Sequence, residues 1–185
     1  MNKELSLIPY VSEENATGEI KRVYDEIRGT FGMIPAPLKQ HSVYPEVLIG
    51  QWQMMKEMVL NDESNFSHKL LAMMRMVVSS APSLDCDYCV GFNESMLINM
   101  FGLTIEEINM IKAHPSSANL NEKDKKMLIY MIDATTKPKE INKAQIQELR
   151  NLGWSDKDIF KGIKLSTQMV AMTLLVDTLD IPRDF

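Results

Sequence analysis

The chain carries two cysteines, Cys86 and Cys89, three residues apart in the run Asp85-Cys86-Asp87-Tyr88-Cys89-Val90-Gly91-Phe92-Asn93. Two thiols at that spacing can close to a disulfide and reopen without unfolding the surrounding chain, so thiol redox chemistry is the first chemistry the sequence suggests. The run reads as the first turn of a helix. Residues three apart there share a face, and the first sulfur lies over amide hydrogens that have no carbonyl partner within the helix. Those amides and the aligned peptide dipoles stabilise an anion, which favours the thiolate. Asp85 and Asp87 act in the opposite sense, because a neighbouring carboxylate disfavours a second negative charge. Residue type and spacing leave two readings open: a redox pair, or a buried dithiol without chemistry.

Other chemistry finds less support. A structural zinc site wants four protein ligands, whereas one cysteine pair and three scattered histidines (His41, His68 and His114) show no ligand spacing, so no metal or other cofactor is expected. The 15 methionines, dense at Met54, Met55, Met58, Met73, Met74, Met76, Met96 and Met100, are read as fillers of irregular core and interface gaps.

The elements that must position the thiols are helical. Side-chain caps stand just before apolar repeats of helical period. Thr17 precedes Ile20, Val23, Tyr24 and Ile27, and this stripe is expected to stop at Gly29. Gly32-Met33-Ile34-Pro35-Ala36-Pro37 is a loop, since proline disfavours helical geometry in the residue before it; a short helix to Val43 follows. A second run extends from Pro45 to Leu60. Ser67 caps Leu70 to Ser80, an almost wholly apolar stretch that must be buried on most sides. After Pro82 the cysteine helix runs from about Cys86 to Phe101 and ends at Gly102. Thr104 with Glu107, Asn121, Asn142, and Ser155 with Asp158 open the remaining helices, the last reaching Leu179. The expectation is an all-α, single-domain helical bundle over residues 1–185, with residues 1–45 an N-terminal helix and proline-rich loop leading into it. Roughly six to eight helices and no strand are predicted.

Composition narrows the class. With 45% hydrophobic and 24% charged residues the balance is that of an ordinary globular protein. A net charge of -5 and the lack of a basic stripe argue against a nucleic-acid partner. No apolar run approaches the roughly 20 residues of a membrane span, and the first residues lack the apolar core of a signal peptide, so no membrane association and a cytoplasmic location are expected. In that reducing compartment a lone cysteine pair points to transient, catalytic or metal-binding use rather than a structural staple.

The order of the Ser-capped apolar helix, Val78-Ser79-Ser80, a short loop and then Cys86-Asp87-Tyr88-Cys89 resembles the alkylhydroperoxidase D-like, carboxymuconolactone decarboxylase family. The opening Ile8-Pro9 and Thr17-Gly18-Glu19, then Gly32-Met33-Ile34-Pro35 and Tyr44-Pro45-Glu46, is similar to the leader of its uncharacterised peroxidase-related branch. The resemblance implies an all-helical fold, association as trimers or dimers of trimers, and active sites near subunit contacts. It also implies reduction of a peroxide or protein disulfide by Cys86 and Cys89, with an external thiol as electron donor and alkyl hydroperoxide as the substrate class. Tyr88 matches an aromatic or histidine position between the cysteines. The family relay of an upstream glutamate and a histidine four residues after the second cysteine falls here on Ala72 and Asn93. A carboxamide can hydrogen-bond a sulfur, a substrate or a water but cannot exchange protons near neutral pH, so attenuated thiol chemistry is expected. Asp85, Asp87, Glu94 and His68 are the conceivable substitutes. Cys89 is expected to be the deeper thiol and Cys86 the more exposed, with the attacking role open between them. A second reading is a catalytically degenerate, oligomeric protein that binds a small molecule or serves structurally; a third is a carboxymuconolactone decarboxylase-like lyase.

Overall fold

A computed structural model of the chain describes residues 6–61 and 65–185. Among these residues there are nine α-helices and no strand: α1 (Gly18–Phe31), α2 (Ala36–Gln40), α3 (Pro45–Met55), α4 (His68–Ser79), α5 (Asp87–Phe101), α6 (Ile105–Ala113), α7 (Glu122–Thr136), α8 (Lys143–Asn151) and α9 (Asp156–Thr178). The all-helical expectation holds, but nine exceeds the six to eight expected because every short helix forms. The two nine-residue helices, α6 and α8, are each started by a reciprocal capping box, Thr104 with Glu107 and Asn142 with Gln145. Each box satisfies amide hydrogens that a short helix could not otherwise leave unpaired. Backbone proximity divides the chain into two compact units, Met1–Asp62 with Leu175–Phe185, and Glu63–Leu174.

In the first unit, α1 buries Val23, Tyr24 and Ile27 in a cluster with Ile34, Leu38, Leu48 and Trp52. Thr17 stands at the N-cap position with extended backbone, yet its side chain caps nothing. The helix also passes Gly29 and stops at Gly32, whose φ of 76° is the left-handed geometry that ends helices and whose N–H bonds the Arg28 carbonyl at 2.8 Å. Positive φ, rather than glycine as such, sets the boundary. After α3 the chain continues through a π-helical turn, Lys56–Leu60. The C-terminal segment is tied in by Leu7 N–H to the Leu179 carbonyl at 2.8 Å and by Ala36 N–H to Asp184 Oδ2 at 2.7 Å.

In the second unit, α4 is the central element. The Ser67 hydroxyl accepts the Leu70 N–H at 3.1 Å, and nearly every residue from Leu70 to Ser79 is buried. Helix α5 packs against α4 more extensively than any other pair of elements does, with α7 and α6 on further sides of α4. Helix α9 begins in this unit with Ser155 and Asp158 bonded reciprocally at its first turn. At Gly162 a Cβ would meet Met127 Sδ at 3.1 Å and Met131 Cγ at 3.2 Å, so the absence of a side chain lets α9 approach α7 closely. At 23 residues α9 is long and apolar enough by length and composition to cross a bilayer, although the sequence reading found no such run. Ile159, Leu165, Ser166 and Thr173 along it are buried within the protein.

Candidate functional site

Helix α5 starts at the cysteine pair. Cys86 is its N-cap, with extended backbone, and its Sγ accepts the Cys89 N–H at 3.4 Å. This is the arrangement expected of a sulfur placed over the open amides of a first helical turn. The Cys86 N–H is itself bonded to the Ser79 carbonyl at 3.1 Å, which ties the start of α5 to the end of α4. Asp85, just before the cap, has φ of 41°, a left-handed conformation that a short polar side chain tolerates better than most, and its N–H reaches the Ala81 carbonyl at 2.9 Å. The tight loop formed in this way turns the chain from α4 into α5 and aims Cys86 inward.

Both cysteines stand as thiols and both are enclosed: Cys86 is 0% exposed and Cys89 3%. Cys86 is therefore not the more exposed of the two: both thiols are enclosed to a similar degree. Asp85 and Asp87, by contrast, are exposed. Tyr88 is buried and stacks on Phe92, ring centroids 6.2 Å apart and planes 9° from parallel. One turn beyond Cys89, the buried Asn93 donates from Nδ2 to the Cys89 carbonyl at 2.8 Å, while its buried Oδ1 has no hydrogen-bond partner among the described residues. Cys86, Tyr88, Cys89 and Asn93 thus gather at the start of one helix.

The positions that could replace a relay are elsewhere occupied. Ala72 is fully buried on α4, Glu94 is paired with Lys112 at 2.6 Å, and His68 is exposed at the start of α4. Among the described residues no group of three or more His, Cys, Asp and Glu is gathered that could hold a metal ion. Two features escaped sequence reasoning. Ser79 and Thr173, both fully buried, face each other with hydroxyl oxygens 3.2 Å apart. Arg75 is the single charged residue between Leu70 and Ser79; that run of apolar neighbours is the signal that could have drawn notice to it.

No family model matches the chain, and no curated protein matches it. Solved structures do. An uncharacterized peroxidase-related protein from Silicibacter sp. is 21% identical and superposes with a TM-score of 0.76, covering 98% of this chain and 90% of its own. The alkylhydroperoxidase AhpD core of an uncharacterized peroxidase-related protein from Ralstonia eutropha is 16% identical, with a TM-score of 0.80 over 98% of this chain and 93% of that one. This chain has the alkylhydroperoxidase D-like fold. The resemblance in the sequence is matched at the level of architecture, with both chains covered almost end to end. The debrominase Bmp8, solved in complex with 2,3,4-tribromopyrrole, is also similar, at 14% identity and a TM-score of 0.72 over 100% of this chain and 93% of its own. Proteins of the alkylhydroperoxidase D-like fold therefore include more than one activity, and the fold alone does not choose among them.

Proposed function

We propose that the protein is a thiol-dependent oxidoreductase that reduces small organic hydroperoxides at Cys86 and Cys89. The observation that carries this reading is the hydrogen bond from the Cys89 amide to Cys86 Sγ at the open end of α5, with the second thiol in the same turn. An amide donor aimed at the sulfur favours its thiolate, so the attacking role falls to Cys86. The Cys86 thiolate attacks the distal oxygen of ROOH; the O–O bond breaks, ROH leaves with one proton, and Cys86 becomes a sulfenic acid. The Cys89 thiol then displaces hydroxide from that sulfur, releasing water and forming the Cys86–Cys89 disulfide. An external dithiol returns two electrons and two protons by exchange. The near-complete enclosure of both sulfurs favours a small peroxide over a protein disulfide, which could not bring its own sulfur into contact. Without a histidine or glutamate at positions 93 and 72, proton transfer falls to solvent or the substrate, and turnover is slower by about 10²- to 10⁴-fold than with a positioned acid–base group.

The reading includes a cytoplasmic location, where a thiol donor is at hand. The reading includes self-association as a trimer or hexamer, supported by apolar side chains left exposed, Phe160 and Leu174 on α9 among them.

A second reading is supported by the same enclosure and by Ala72 and Asn93: a protein that has kept the fold and binds a small molecule without turning it over. Thiol counting decides between them. Treatment with one equivalent of cumene hydroperoxide should consume two thiols per chain within minutes in the native protein. Cys86→Ser should lose none, and Cys89→Ser should lose one and yield a sulfenic acid that dimedone traps. Unchanged thiols over hours in the native protein would sink the enzyme reading and leave the binding one.

A further inference from the structure

A cavity of about 280 Å³ opens within the second unit, between the start of α4, the end of α5 and helix α6. Helix α5, 15 residues and about 22 Å long, separates it from the thiols at that helix's other end. The half-buried Phe101, the exposed Met110 and the buried Ile111 give the cavity apolar surface. Lys69 and Glu107 give it one charge of each sign, and Ser117 and Asn119 add polar side chains. The two charges line one small space without pairing. Among the described residues Lys69 makes no ion pair and no side-chain hydrogen bond, and Glu107 is engaged through Oε2 alone, which accepts the Thr104 N–H at 2.8 Å. Helix ends reinforce the separation of sign. Lys69 lies in the first turn of α4, where open amides favour an anion, while Phe101 and Gly102 close α5, whose last carbonyls favour a cation.

We propose that this cavity binds a free amino acid with an apolar side chain. Lys69 receives its carboxylate, Glu107 and the carbonyl end of α5 receive its ammonium, and its side chain lies against Phe101 and Met110. A fatty acid or a simple amine would answer only one of the two charges, and a bare ion would leave the apolar surface unused. The volume falls just under the roughly 300–1,000 Å³ of drug-sized ligand sites, which suits a molecule of about a dozen non-hydrogen atoms. The inference is independent of the thiol reading, because it concerns a different site and binding without turnover.

L-Phenylalanine is the probe, titrated calorimetrically into the full-length reduced protein. Two controls each lack one charge: 3-phenylpropionate has no ammonium and 2-phenylethylamine no carboxylate. L-Phenylalanine should bind the native protein and raise its melting temperature, and each control should bind about tenfold more weakly. Lys69→Met should weaken L-phenylalanine by about tenfold and leave 2-phenylethylamine unchanged. Glu107→Gln, which keeps an oxygen for the Thr104 cap, should weaken L-phenylalanine similarly and leave 3-phenylpropionate unchanged. The retained control in each variant shows that the cavity is still formed. Three results would each overturn the proposal: no binding of L-phenylalanine by the native protein at millimolar concentration, a control that binds as tightly as the amino acid, or native-like L-phenylalanine binding by both variants.

Discussion

Replacing Asn93 by leucine should make the protein more stable and less reactive at once. Among the described residues the native carboxamide makes one hydrogen bond, Nδ2 to the Cys89 carbonyl at 2.8 Å, and leaves Oδ1 buried without a partner. The bond supports folding by about 0.5–1.5 kcal/mol, whereas the orphaned acceptor costs about 1–3 kcal/mol. Losing the side-chain donor does not orphan the Cys89 carbonyl, which lies inside a helix and keeps the backbone N–H four residues on. Leucine is close to asparagine in shape and brings apolar surface to a site only 3% exposed. The balance favours Asn93→Leu by about 1 kcal/mol, a rise in melting temperature of about 2–4 °C for a chain of this size. Differential scanning calorimetry on the reduced protein at neutral pH measures it. The thiol-loss rate with cumene hydroperoxide should fall in the same variant, because the free acceptor is the group available to receive a hydroperoxide O–H. A destabilisation of 1 kcal/mol or more would refute the reasoning, since Oδ1 would then have to be satisfied in the folded protein.

Ser67→Ala removes the hydroxyl that caps α4 and should cost about 1 kcal/mol, read from urea denaturation. Burial alone would raise the Asp158 carboxyl, but hydrogen bonds from Ser155 and Asn65 outweigh it and hold the group below the ordinary carboxylate range. A depressed folded value means that the stabilisation is present above the unfolded pKa of about 3.9 and is lost as pH falls through the folded one. Asp158→Asn should therefore flatten the acid limb of the stability curve, and an unchanged limb would contradict the assignment. Sedimentation velocity at micromolar concentration should give a trimer or hexamer; a monomer would remove the self-association reading.

Much of the scaffold was legible because caps are local. Ser67, Thr104 with Glu107, Asn121 and Asn142 each bond the amides their positions predict, and Gln145 completes a box with Asn142 that the sequence reading had not named. Thr17 failed as a hydroxyl cap and Gly29 as a stop, since a residue type permits a terminus and backbone geometry decides it: Gly32, not Gly29, takes positive φ. The π-helical turn at Lys56–Leu60 has no signature in residue type that periodicity would register. At the thiols, spacing gave the helix start and the sulfur's place over the amides. The enclosure of Cys86 was not legible, since its amide is bonded to the Ser79 carbonyl, a contact between residues that the loop geometry at Asp85 brings together. Arg75 was overlooked because a lone charge in an apolar repeat reads as an outward-facing position, and here it is half enclosed.

The N-terminal cap of α5 is made by an atom that can be oxidised, and this binds two properties that most proteins keep apart. On the redox reading proposed above, sulfur engaged in a covalent bridge is a poorer acceptor than a thiolate, so oxidation of Cys86 would loosen the grip on the Cys89 amide. Linkage then runs both ways: whatever firms the leading turn of this helix holds electrons on the pair, and whatever frays it lets them go. Substitutions far down α5, touching neither cysteine, should shift the midpoint potential in step with their effect on helix strength.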